Sequence, residues 1–254
     1  MSLKFSDFKN KHKGDPFIIL GTGPSITKEA IQEITWIPGV KLIGVNTIVG
    51  SLWDLRIPLF GYYKGRNLDE DCYVDFPNPV PFKSGINYDL CGTRPAELNY
   101  LVVVDPPYHA AFRKTHNNFD FIKYAPADTL FVPDNYPQDV FHDPGRECRF
   151  HLGKQGGVTV DEDHIDYSIT TPYLTCLLAA YMGAGDIGIL GVDLTMEGNM
   201  GSIGAVKTMN NHFGRLCTHL YETSGVLMRN FSDIGKLDIP RMSIRAFSDL
   251  SRLK

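Results

Sequence analysis

At 254 residues, 43% hydrophobic and 21% charged, the chain has the composition of a globular protein long enough to bury a sizeable core. Its formal net charge of −4 leaves no basic footprint for nucleic acid, so no nucleic-acid partner is expected. No apolar run approaches the roughly 20 residues that cross a bilayer and no signal-peptide core opens the chain, so no transmembrane segment and a cytoplasmic setting are expected.

Residues 4–16 are polar and basic and read as a surface lead-in. Phe17–Leu20 is a short apolar run ending at Gly21, the pattern of a buried parallel strand. The turn Gly21-Thr22-Gly23-Pro24-Ser25 follows, with Ser25 placed to cap a helix whose apolar residues Ile26, Ala30, Ile31 and Ile34 share one face. Pro38-Gly39 ends that helix, and Lys41–Asn46 is the second strand. Strand, glycine turn, helix and strand make the opening unit of a nucleotide-binding sheet. In such a unit glycines let the backbone approach a phosphate, and its N–H groups are expected to hold it. A third glycine is missing at the dinucleotide spacing. Asn46 also stands where an NAD fold carries Asp or Glu, so a mononucleotide is expected.

Residues 47–98 hold five prolines and several aromatic clusters and read as a long irregular insertion, a lid or an acceptor platform. Leu98–Asp105 reads as a strand delivering Asp105, residues 108–124 as a helix, and Thr129–Val132 as a strand stopped by Pro133. Residues 134–166 read as loop. Their run Asp161–Asp166 offers hard oxygens to a cation but is expected to be a solvated face, and no metal site is assigned. Thr170-Thr171-Pro172 is a helix start with threonine as cap and proline at the first position, opening a buried helix from Tyr173 to Met182. Ile187–Val192 is a buried strand that delivers Asp193. Glycine-rich residues 196–209 read as a mobile loop. His212 stands just before a helix over 213–224, and 225–230 is a last strand. The sum is one α/β domain, a Rossmann-like open and mostly parallel sheet with helices on both faces.

Ligands of such sheets sit beyond the carboxyl ends of the strands. Gly21, Thr22, Gly23, Pro24, Ser25, Asn46, Asp105, Thr170 and Thr171 are therefore the candidate nucleotide contacts, and Asp193 and His212 the candidate catalytic residues. A loop-held histidine can titrate near neutrality and act as general base. His219 shares its helix face as a weaker candidate. Arg113, Lys114, Arg146, Arg149 and Lys154 can pair with phosphates, with nothing to single one out. The five cysteines (Cys72, Cys91, Cys148, Cys176 and Cys217) form no C-x-x-C and read as reduced thiols. Neither a serine-hydrolase elbow, a zincin motif nor a P-loop lysine occurs.

Two segments resemble a known group: Ile18–Ser25 with Gly44-Val45-Asn46, and Ile169–Gly183 with Ile189–Asp193. They are similar to bacterial family 42 sialyltransferases and equally to the MptE-like (DUF115) group of archaeal 6-hydroxymethylpterin diphosphokinases. The sialyltransferase resemblance implies that Gly21, Thr22, Gly23, Ser25, Asn46, Thr170 and Thr171 lie at the CMP part of a donor, with His212 nearest to the family's general base. That family carries a tyrosine two residues after the strand-end aspartate, and this chain has Thr195 there. The expected function is a transferase with a nucleotide or nucleotide-sugar donor and a small-molecule or glycan acceptor. The alternatives are an ATP-dependent diphosphokinase, which would need Mg²⁺, and a non-catalytic nucleotide-binding protein. Self-association is left open.

Overall fold

The computed structural model describes residues 3–48, 51–52, 59–60, 96–105, 125, 127–137, 144–194 and 203–252. Most of the 47–98 insertion, the expected helix at 108–124, Arg113, Lys114 and Thr195 lie outside them. Among the described residues nine strands pair in parallel: β1 (Pro16–Leu20), β2 (Lys41–Val45), β3 (Leu59–Phe60), β4 (Ala96–Val102), β5 (Thr129–Pro133), β6 (Glu147–Gln155), β7 (His164–Tyr167), β8 (Asp186–Leu190) and β9 (Leu227–Asn230). Their order is β7-β6-β5-β4-β2-β1-β8-β9, with β3 beside β4. The order reverses at β1, whose neighbours are β2 on one side and β8 on the other. This is the open α/β, Rossmann-like sheet that the sequence predicts.

The central strands are buried on both faces. Phe17, Ile19, Ile43, Val45, Val102 and Phe131 point to one side, and Ile18, Leu20, Leu42, Leu101 and Leu130 to the other. The first side is covered by α2 (Thr171–Tyr181) and α3 (Ile203–Ser224), the second by α1 (Lys28–Thr35) and α4 (Ile244–Ser251). Between β2 and β4 the register slips after Leu42, and Asn99 fills the gap, its Oδ1 accepting the Leu42 N–H at 2.9 Å.

Several sequence expectations are corrected. The segment before β1 is no surface lead-in: Phe5 and Phe8 are buried in a short 3₁₀ turn, Phe8 edge-on to Phe131 at 4.8 Å. Its backbone is tied to the end of α2 by Asn10 N–H to Tyr181 O, His12 N–H to Met182 O and Gly14 N–H to Gly183 O. Residues 134–166 are not all loop, because β6 and β7 lie within them. The cap of α1 is Thr27, whose Oγ1 accepts the Ala30 N–H, and not Ser25. Proline takes the second position of α2, and its cap residue Thr170 makes no side-chain cap bond. Finally, α3 begins at Ile203, ten residues before the expected Phe213, so 203–209 is helix and His212 stands inside it.

Candidate active site

The glycine turn is held against the end of β8, where the strand order reverses. Gly21 N–H donates to Leu190 O, Gly23 N–H to Gly191 O, and Ser25 N–H to Asp193 Oδ2 at 2.8 Å. Ser25 Oγ in turn accepts the Gly191 N–H at 2.9 Å. The glycines are required by this contact: a Cβ on Gly21 would lie 2.1 Å from Gly191 O, and one on Gly23 2.5 Å from Asp193 Oδ2. Three N–H groups expected to cradle a phosphate are therefore spent inside the protein, and Pro24 has none. Thr22, exposed at the tip, is the one residue of the turn whose N–H stands outside these bonds.

Asp193 is likewise used internally. It is 3% exposed, and besides the Ser25 N–H its carboxylate accepts the Ser232 hydroxyl at 2.5 Å. Its own carbonyl accepts the Lys236 N–H. The geometry makes it a clamp joining the turn after β1, the end of β8 and the segment after β9, rather than a group presented to a substrate.

Beside this closed contact lies an open polar cluster. Asn46 follows β2 with φ +47°, a left-handed conformation that asparagine tolerates. Its Nδ2 donates to Asp105 Oδ2 at 2.8 Å and to Thr171 Oγ1 at 3.1 Å, and its Oδ1 accepts the Val104 N–H at 3.3 Å. Three expected contacts, far apart in sequence, thus meet where two strand ends face the N-terminus of α2. That helix end carries the positive end of the peptide dipoles.

His212 reaches the same helix end from α3. Its Nδ1 is 2.7 Å from Ser168 Oγ, and its ring lies 6.1 Å from that of Tyr173, whose hydroxyl donates to Gly157 O at 2.7 Å. Ser168 precedes Thr171 by three residues, which limits their Cα separation to about 11 Å. The imidazole rests on the Gly156 backbone, where a Cβ would lie 2.7 Å from Nε2. The histidine is half-buried rather than loop-exposed. Burial, and then the nearby Arg215 cation, push its pKa below the ordinary 6.5, so the ring is neutral at pH 7. Ser168, Gly156 and Tyr173 were not singled out by sequence, and no local motif marks them.

Other candidates are placed elsewhere. Arg146 Nη1 binds the carbonyls of Ala125 and Ala127, and Arg149 those of Asp134 and Tyr136, so both cations brace the chain beside β5 and β6. Lys154 is exposed, its N–H on Asp166 Oδ1. The run 161–166 divides: Asp161, Asp163 and His164 are exposed with ligand atoms within 4.8 Å of one another, and Asp166 is buried against the Lys154 and Thr159 N–H groups. His219 lies one side of the exposed face of α3. Cys148 and Cys176 are buried free thiols, and Cys217 is half-buried. Among the described residues no helix is long and apolar enough to cross a membrane.

No protein-family model matches the chain, and no curated protein matches it. Among solved structures it is similar to the MAf glycosyltransferase from Magnetospirillum magneticum AMB-1, at 13% identity and a TM-score of 0.50. That match covers 98% of this chain and 40% of the other, so the chain spans less than half of the enzyme it matches. It is also similar to the sialyltransferase CST-II in complex with a trisaccharide acceptor and CMP, at 12% identity and a TM-score of 0.39, covering 90% and 89% of the two chains. The Campylobacter jejuni CstII bound to cytidine-5'-monophosphate gives 11%, 0.39, and coverage of 91% and 89%. At such identities the likeness is one of fold alone, the open α/β, Rossmann-like sheet described above.

Proposed function

We propose that this protein is a transferase with a nucleotide or nucleotide-sugar donor, and that the group transferred is a sugar. The observation that carries the reading is the meeting of Asn46, Asp105 and Thr171 beyond the carboxyl ends of β2 and β4, with Ser168 and His212 at the same end of α2. In this reading Asn46 and Asp105 take the ribose or base, and Thr171, Thr170 and the start of α2 face the phosphate. Thr22 offers the remaining N–H of the glycine turn. Gly21, Gly23, Pro24, Ser25 and Asp193 hold that turn in place.

In the tautomer where Ser168 Oγ accepts Nδ1–H of His212, Nε2, on the Gly156 side of the ring, is the basic atom that takes a proton. Nε2 removes the proton of an acceptor hydroxyl, the oxygen bonds to the anomeric carbon of the donor, and the bond from that carbon to the phosphate oxygen breaks. The nucleotide departs with its phosphate, toward the positive end of α2.

A second reading is diphosphate transfer from ATP. It is favoured by the Asp105 carboxylate, which stands in the polar cluster where a magnesium-bound triphosphate would lie. Thermal denaturation with CMP, UMP, GDP, ADP and ATP, with and without Mg²⁺, tests both. A nucleotide at 100 times its Kd adds about 2.7 kcal/mol, about 5–10 °C in Tm for a chain of this size. No shift with any nucleotide refutes the donor site, and turnover unaffected by chelator refutes the kinase reading.

A further inference from the structure

One side of α3 carries a feature that neither packing nor the reaction accounts for. Gly214 sits in the middle of this 22-residue helix, where glycine costs stability relative to alanine. Nothing among the described residues asks for it: its backbone is helical, and a Cβ added there would meet no described atom within 4 Å. The glycine leaves the helix surface bare at this point.

That bare spot is part of the lining of a groove of about 550 Å³ along the outward face of α3, with Asn211, Arg215, Thr218, Glu222 and Asp238 around it. His212 is not in the lining but neighbours it on two sides: Asn211 adjoins it in the helix, and Val158 in the wall follows the Gly156–Gly157 turn, whose first glycine packs on the His212 ring and whose second accepts the Tyr173 hydroxyl.

The lining chooses a class of ligand. It alternates donors and acceptors, and its one guanidinium is set against two carboxylates, so it does not concentrate charge of one sign for an anion. Among the described residues Arg215 and Glu222 are joined to no partner by ion pair or side-chain hydrogen bond. They stand seven residues, about 10.5 Å of helix, apart, the reach of a disaccharide. Carboxylates, amide and guanidinium can take the hydroxyls of a sugar, and the bare helix at Gly214 beside Val158 can take a C–H face.

We propose that this groove binds a neutral saccharide and is the acceptor subsite, leading its terminal hydroxyl to His212. The acceptor role rests on the glycosyl-transfer reading; the saccharide binding does not. The test is a titration of the ¹⁵N-labelled full chain with lactose, cellobiose and maltose, with digalacturonate as the anionic counterpart. At least one neutral disaccharide should give saturable amide shifts at Asn211, Gly214 and Thr218.

Gly214→Leu should raise the Tm, as a better helix former in open space, and abolish those shifts while leaving any Tm shift with CMP unchanged. Glu222→Gln and Arg215→Ala should each weaken the sugar at least fivefold. The proposal is overturned if no neutral disaccharide shifts this face, if only digalacturonate does, or if Gly214→Leu leaves the titration unaltered. Saccharide binding without any nucleotide-induced Tm shift would sink the donor site alone.

Discussion

Asp193 gives the sharpest test of what the glycine turn is for. Its buried carboxylate accepts from the Ser25 N–H at 2.8 Å and the Ser232 hydroxyl at 2.5 Å; removing it strips the Ser25 N–H of this acceptor, whereas the Ser232 hydroxyl can turn fully to Ile234 O beside it. Hydrogen bonds to a charged group contribute about 1.5–3 kcal/mol each. Asp193→Ala is therefore expected to cost at least about 1.5–3 kcal/mol for the Ser25 bond, a sizeable share of the 5–15 kcal/mol typical of a whole domain. Asp193→Asn keeps one acceptor and turns an amide N–H₂ toward the other donor, so about half that loss is expected. The assay is urea denaturation followed by circular dichroism, with the midpoint read at constant slope. In a double-mutant cycle with Ser232→Ala the two losses should fail to add by about 0.5–3 kcal/mol. An Asp193→Ala variant within about 1 kcal/mol of the parent would refute the clamp.

Three further outcomes are expected. Phe8→Ala should cost about 3–5 kcal/mol in the same denaturation experiment, because its ring is 1% exposed among Phe131, Tyr100 and the Lys11 ammonium; a loss near zero would return residues 4–16 to the surface. Gly156→Ala should cost about 1–2 kcal/mol for its φ of +71° and turn the imidazole off Ser168, seen as a changed titration of the His212 ring protons by NMR. His12 and His212 both have pKa values lowered mainly by burial, with neighbouring cations adding to it. The unfolded chain therefore binds more protons, so stability is full above pH 6.5 and declines as pH falls below it. His212→Gln should flatten that decline, and a midpoint insensitive to pH between 7 and 5 would contradict the burial of both rings.

The parallel sheet was legible because its central strands are continuous apolar runs bounded by glycine or proline, and burial on both faces leaves no other reading of Phe17–Leu20 or Ile187–Leu190. The misreadings have physical causes. In β6 the alternation Cys148, Phe150 inward and Arg149, His151 outward was present, but the Gly153 and Gly156-Gly157 punctuation outweighed it. At α3, Gly201 and Gly204 suggested a loop, although Val206, Met209, Phe213, Leu216 and Leu220 keep helical spacing and are all buried. Phe5 and Phe8 were hidden among lysines, and only tertiary contact with α2 shows that the lysines face outward. The last helix, α4, has its sequence signal in Ser243, whose Oγ accepts the Ala246 N–H as a cap.

The site shows the same division between what spacing can tell and what only contact can. Sequence places a polar residue at each strand end, yet cannot say whether that residue faces inward or toward a ligand. Ser25 and Asp193 sit where the strand order reverses, the position at which a ligand crevice is expected. There Gly21 and Gly191 come so close, backbone on backbone, that the crevice between β1 and β8 is shut by their own hydrogen bonds. The unshut place is one strand over, where Asn46 bends into a left-handed turn and reaches both Asp105 and Thr171. Had the glycines existed for a phosphate, their N–H groups would point outward unused. Spent as they are, they fix the distance between β1 and β8, and thereby the place of α2, whose N-terminus both the Asn46 cluster and His212 share. The glycine turn is thus a requirement of the scaffold, and in the proposed reading the donor's recognition falls to side chains at the end of β2, beyond β4 and at the start of α2, with the Thr22 N–H as the turn's one contribution.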